Sequence, residues 1–218
     1  MIKNDYIMRL IEQFARLVSR LMGMRDVHAY QEALRLLRDE SRRLVGVDGT
    51  MLELLDLPSL RRTLHSPERI VIAGRILEEM AGIQRLDDES TRATANSVKA
   101  VALYADVLRS DPDVLDGDIM QRARTIVDTL GESDLTWDDL FALLSAFESL
   151  GQYDRAEDAL WKLVESGFDK ERVVEAGLDF YNRLLELDDA ALIAGNLPWN
   201  EVIDGRAEWE RLTTERDE

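Results

Sequence analysis

The sequence predicts an all-α protein, and three observations predict it. Apolar residues recur at spacings of three and four along nearly the whole chain. No stretch shows the period-two alternation of a half-buried strand. Only four prolines interrupt 218 residues, which leaves room for long helices. Residues 133–167 show the repeating unit. Leu140, Leu143, Leu144 and Phe147 form one stripe, Gly151 breaks the pattern, and Ala156, Leu160, Leu163 and Val164 form a second. Neither helix can bury its stripe alone, so the pair is expected to fold back as a hairpin.

The first helix is expected over 4–22, capped by Asn4 or Asp5. Ile7, Leu10, Ile11, Phe14, Leu17, Val18 and Leu21 give it a wide apolar stripe. Lys3, Arg9, Arg16, Arg20 and Arg25 against Asp5 and Glu12 make residues 1–25 a basic segment (+3) in a chain of net charge −17. The stripe is expected to pack on other helices, with a twin chain supplying part of the contact as a homo-dimer; a membrane surface is the weaker alternative.

Asp26 is the expected cap of a second helix running to about Val45 and stopping at Gly46. Short helices follow at 50–56, capped by Thr50, and at 58–64, opened by Pro58. Ser66-Pro67 is a strong start signal for a helix to about Leu86. Gly74 and Gly82 lie inside it, and a glycine on its buried face would allow close helix approach. Helices are then expected over 89–110, ended by Asp111-Pro112, over 117–130, from the Thr136 cap to Gly151, over 153–166, over 169–186, and from Trp199 onward. Asp139, three residues after Thr136, completes a short capping box.

Composition excludes several function classes. The strongly acidic balance argues against nucleic-acid backbone binding, which needs clustered Lys and Arg. Lys3, Lys99, Lys162 and Lys170 are the only lysines. Cysteine is absent, so disulfides, thiolate metal sites and a cysteine nucleophile are excluded, in keeping with a cytoplasmic setting. No leader or membrane span is expected: charges interrupt the N-terminal apolar run, and the longest uncharged run, 190–200, is too short.

The run Leu150-Gly151-Gln152-Tyr153-Asp154-Arg155-Ala156 resembles the middle of a tetratricopeptide repeat. In that family a glycine ends helix A, an aromatic follows two residues later, and a small residue lets helix B approach helix A. With Trp137 as first position, the next repeat starts at 171, places Tyr181 in its helix A and puts Ala190 where Ala156 stands. Ala100, Tyr104, Val107 and Pro112 resemble half of another copy, and Tyr30 and Ala33 echo Tyr153 and Ala156. The opening NDYIMRLIEQ followed by AYQEALRLL resembles the start of an uncharacterised bacterial helical family, which lends no activity.

The repeat resemblance implies antiparallel helix pairs stacked as a short right-handed solenoid, with N-terminal helices over 1–64 and a repeat domain over 65–218, or one continuous domain. It implies a non-enzymatic scaffold that binds a protein or peptide in the groove lined by its A helices. The groove residues carried over are Asp138, Phe141, Ser145, Glu148 and Ser149 in one helix. In the next they are Arg172, Glu175, Asp179, Asn182 and Arg183. Asn182 and Arg183 would hold a backbone carbonyl and a carboxylate. Trp199 and Trp209 are expected in a C-terminal capping segment.

Catalytic and metal patterns do not rise to a reading. His28 and His65 stand outside any ligand spacing. Asp111, Asp113, Asp116 and Asp118 miss the offsets of a calcium loop. Glu78-Glu79 and Asp87-Asp88-Glu89 read as solvated charge runs. No catalytic residue, metal or cofactor is expected. The alternatives are a small-molecule or metal-dependent enzyme with an acidic pocket, and a purely structural homo-oligomer.

Overall fold

The computed structural model describes residues 27–110, 117–130, 135–167 and 170–214. All elements among them are helical and none is a strand. They are α1 (Val27–Val45), α2 (Gly49–Leu54), α3 (Leu57–Leu64), α4 (Pro67–Leu86), α5 (Ser90–Ser110), α6 (Gly117–Leu130), α7 (Trp137–Ser149), α8 (Tyr153–Glu165), α9 (Lys170–Leu184), α10 (Asp189–Ala194) and α11 (Trp199–Thr214). The chain divides into two compact units, Met1–Asp134 and Leu135–Glu218. The position between residues 64 and 65 falls inside the first unit, where Leu60 and Leu64 are fully buried and α3 packs on α4 and α5.

Local chemistry sets the helix ends. Asp48 rather than Thr50 caps α2: its carboxylate accepts from the Thr50 N–H at 3.0 Å, so the helix starts earlier than expected. Asp56 caps α3 through the Ser59 N–H, and the α3 helix ends at His65 in the left-handed conformation. Ser66 caps α4 with Pro67 at its first position, as expected. Thr136 and Asp139 exchange hydrogen bonds in a complete capping box.

The first unit is built round α4. Helix α5 packs antiparallel to it: the Asn96 amide donates to Gln84 at 2.8 Å, and the Tyr104 hydroxyl donates to Glu78 at 2.8 Å. Gly74 lies under the Tyr104 ring, the close approach that a glycine on the buried face permits. Helix α1 also runs antiparallel to α4. Gln31 near its start donates to Asp87 at 2.5 Å, and Gly46 beyond its end lies by Arg69. Ile72, Ile76, Leu77 and Met80 of α4 are buried in the core, as are Leu34 and Leu37 of α1 and Val101 and Leu103 of α5.

The expectation that Glu78 and Glu79 form a solvated run is corrected. Glu78 is half-buried and accepts from Tyr104 and, at 3.0 Å, from Arg122 of α6. Burial, with Glu78 adding to it, pushes the Glu79 carboxyl up.

In the second unit α7 and α8 form the expected hairpin. Gly151 takes a positive φ of 66° at the turn. Ala156 is fully buried where α8 meets α7. Helix α9 packs on α8, and α11 packs on α9 and α10. Trp209 is the largest fully buried side chain; its indole N–H donates to the Val174 carbonyl at 3.0 Å and its ring lies edge-on to Trp161. Trp199 is 42% exposed, because Val202 and Trp209 take the buried side of α11. Ala190 is exposed while Ala156 is buried, since α10 ends after six residues.

Candidate functional site

The face shared by α7 and α9 is set by four side chains. Trp137 opens α7 and stacks at 5.1 Å on Phe141, one turn later. Arg172, in the first turn of α9, lays its guanidinium 5.0 Å from the Trp137 ring centre, a cation–π geometry. At the other ends of the helices, Arg183 forks onto Glu148 with bonds of 2.6 and 2.9 Å. One contact joins the two beginnings and the other joins the two ends. The helices therefore lie side by side and run in the same direction.

The expected groove residues divide on this face. Asp138, Arg172, Glu175, Asp179, Asn182 and Arg183 are exposed. Phe141, Ser145, Glu148 and Ser149 are half-buried, with Ser149 bonding back to the Ser145 carbonyl. The structure joins Glu148 to Arg183, and joins Arg172 to Trp137, which the repeat pattern did not place in the groove. The Arg183 fork is filled by Glu148, so this arginine joins α9 to α7. Asn182 is exposed.

A second feature went unread in the sequence. Glu157 and Trp161 of α8, with Glu201, Asp204, Gly205 and Glu208 of α11, line an open hollow of about 340 Å³. The Tyr181 hydroxyl donates to Glu157 at 2.5 Å beneath it. Burial pushes the Glu157 carboxyl up although the Tyr181 bond pulls the other way, and Asp158, Glu201 and Asp154 add to the rise. A Cβ at Gly205 would stand 2.6 Å from the Tyr181 oxygen, so only glycine leaves that pair intact. The sequence signal was the spacing of Glu201, Asp204 and Glu208 on one helical face, which the apolar pattern of the last helix masked.

The expected association face, Ile7, Leu10, Ile11, Phe14, Leu17, Val18 and Leu21, lies outside the described residues, as do Asp111, Asp113 and Asp116. Among the described residues no three His, Asp or Glu are placed to hold a metal ion, and no helix is long and apolar enough to cross a membrane.

A family described as one of unknown function, DUF6483, matches residues 1–213. The chain belongs to this family. DUF6483 thus spans both compact units, and its description agrees with the uncharacterised helical family that the opening residues resemble. No curated protein and no solved structure matches the chain.

Proposed function

We propose that this DUF6483 protein is a non-enzymatic scaffold that binds a protein or peptide on the face shared by α7 and α9. The second unit is then a short tetratricopeptide-like stack: α7 and α9 act as consecutive A helices and α8 as the returning B helix. The observation that carries the reading is the same-direction pairing of α7 and α9 through Arg172–Trp137 and Glu148–Arg183. Gly151, Tyr153 and the buried Ala156 support it at the turn. The split return through α10 and α11 departs from a regular repeat, so the reading rests on one full hairpin and the A helix that follows.

Exposed Asp138, Glu175 and Asp179 favour a partner segment with basic side chains, and Asn182 supplies donor and acceptor for its backbone. Panning a random peptide display library on the intact chain tests this. Selected peptides should be basic and should bind an Asp179→Lys, Asn182→Ala variant about tenfold more weakly, or about 1.4 kcal/mol. Equal affinity for both proteins overturns the reading.

One observation favours the second reading, a small-molecule site: the acidic hollow with a carboxyl pushed up at Glu157 beside an indole. A thermal-shift screen with divalent metals and organic amines separates the two. A shift abolished by Glu157→Gln, with peptide binding absent, would put the hollow first.

A further inference from the structure

We infer that the free end of the second unit's helix stack, on the far flank of α11, is an interface that takes a second copy of this chain. Three observations carry the inference. The first is the place of α11 in the stack. The Gly195 carbonyl just before α11 accepts from the Tyr153 and Asp154 N–H groups at the start of α8, and Trp209 meets Trp161 further along, so α11 runs in the same direction as α8. Gly177 of α9 lies against Trp209, while Tyr181, one turn later, lies by Gly205, so α9 runs the opposite way. Val202 and Trp209 fill the buried side of α11, and Glu201, Asp204, Gly205 and Glu208 border the hollow with α8. The side turned away from α8 holds Trp199, Ile203 and Ala207 at spacings of four, with Arg206 and Glu210 paired at 3.2 Å along its edge. Trp199 and Ile203 are 42% and 43% exposed, and Ala207 is half-buried.

The second observation is polarity. The last helix of a stack must show water a polar outer face, and here that face carries an indole and a branched aliphatic chain. The third is charge, which selects the occupant. The α7–α9 face shows Asp138, Glu175 and Asp179, and the hollow shows three acids of α11, whereas this strip holds one cation and one anion bonded to each other. In a chain of net charge −17, two copies meet here without like-charge repulsion, and a basic partner has more to gain elsewhere. The strip is also complementary to itself. A two-fold axis through Ile203, with the two α11 helices antiparallel, sets Ile203 on Ile203 and lays Trp199 over the small Ala207 of the second copy. It sets exposed Asn200 opposite Arg206 of that copy. Large meets small, and no like charges face each other.

Light scattering of the intact chain over a concentration series is the test, and it should read a dimer. Ile203→Arg should weaken self-association about 100-fold, because the axis then sets two cations face to face. Arginine is a good helix former at an exposed position, so far-ultraviolet circular dichroism should not change. The chain has no cysteine, so single cysteines report the register. Under mild oxidant Ile203→Cys should link two chains about tenfold faster than Trp199→Cys, since an antiparallel pair holds the two residues 199 about 12 Å apart along the axis. A mixture of the Trp199→Cys and Ala207→Cys chains should link as fast as Ile203→Cys. A chain that stays monomeric throughout overturns the inference. So does a dimer that Ile203→Arg leaves unchanged, which assigns the contact to another surface, and so does linking at 199 as fast as at 203. Peptide binding at the α7–α9 face is read separately by the display library, so failure of either reading leaves the other standing.

Discussion

Among the described residues, Glu53 gathers four side chains of the first unit. Its carboxylate accepts from Arg38 at 2.9 Å, Gln84 at 2.8 Å, Asn96 at 3.3 Å and Arg92 at 3.4 Å, so one acid ties α1, α2, α4 and α5 together. Burial opposes its charge, but Arg38 and the two amides outweigh burial and hold the carboxyl below its ordinary 4.5. A depressed folded-state value means the carboxylate stabilises the fold above the unfolded value and stops doing so as pH falls through the folded one. Glu53→Ala should therefore cost on the order of 3 kcal/mol near neutral pH, since it strands Arg38, Gln84 and Asn96. The deficit of Glu53→Gln against wild type should shrink as pH is lowered below about 4.5, read from urea melts at a series of pH values.

Gly177 makes the same kind of point by absence. The Trp209 indole lies where a side chain at 177 would go. Gly177→Ala should cost about 1–3 kcal/mol through overpacking and should shift Trp209 emission to the red.

At the scale of elements, caps and faces decide how much a helix says about itself. The Thr136–Asp139 box was legible because both partners are local, three residues apart. Thr136→Ala should cost about 1 kcal/mol and fray the first turn of α7, loosening the Trp137–Arg172 stack. Exchange of the first α7 amides with deuterium should quicken accordingly. Helix α4 shows the opposite case. Val71, Gly82 and Leu86 stand among Glu68, Arg75, Glu78, Glu79 and Arg85 on the side away from its core residues, so periodicity could place the helix but could not say which face meets which neighbour. Glu78 looked like surface because its partners, Tyr104 and Arg122, lie 26 and 44 residues away.

For the whole molecule, the division into Met1–Asp134 and Leu135–Glu218 has a spectroscopic consequence. Trp137, Trp161, Trp199 and Trp209 all lie in the second unit, while helix is spread over both. Tryptophan emission follows the second unit alone, and far-ultraviolet circular dichroism follows both. Their denaturation midpoints should differ, and coincident curves would mean that the two units unfold as one.

The sequence by itself determined the helical class, most helix ends and the α7–α8 hairpin. Each depends on period, caps and turn residues within a few positions of one another. Gly151, Ser66-Pro67 and Thr136 act on their immediate neighbours, so their effect is readable in the string. Only the tertiary structure decided what the polar residues do. It turned Arg183 from a ligand grip into a brace on Glu148, because the two meet 35 residues apart. It bonded Glu157 to Tyr181 and set it beside the acids of α11, and left Trp199 at the surface. A hydrophobic stripe states that a face must be covered. Which element covers it, and which charges are drawn in with it, depends on distances that only folding sets.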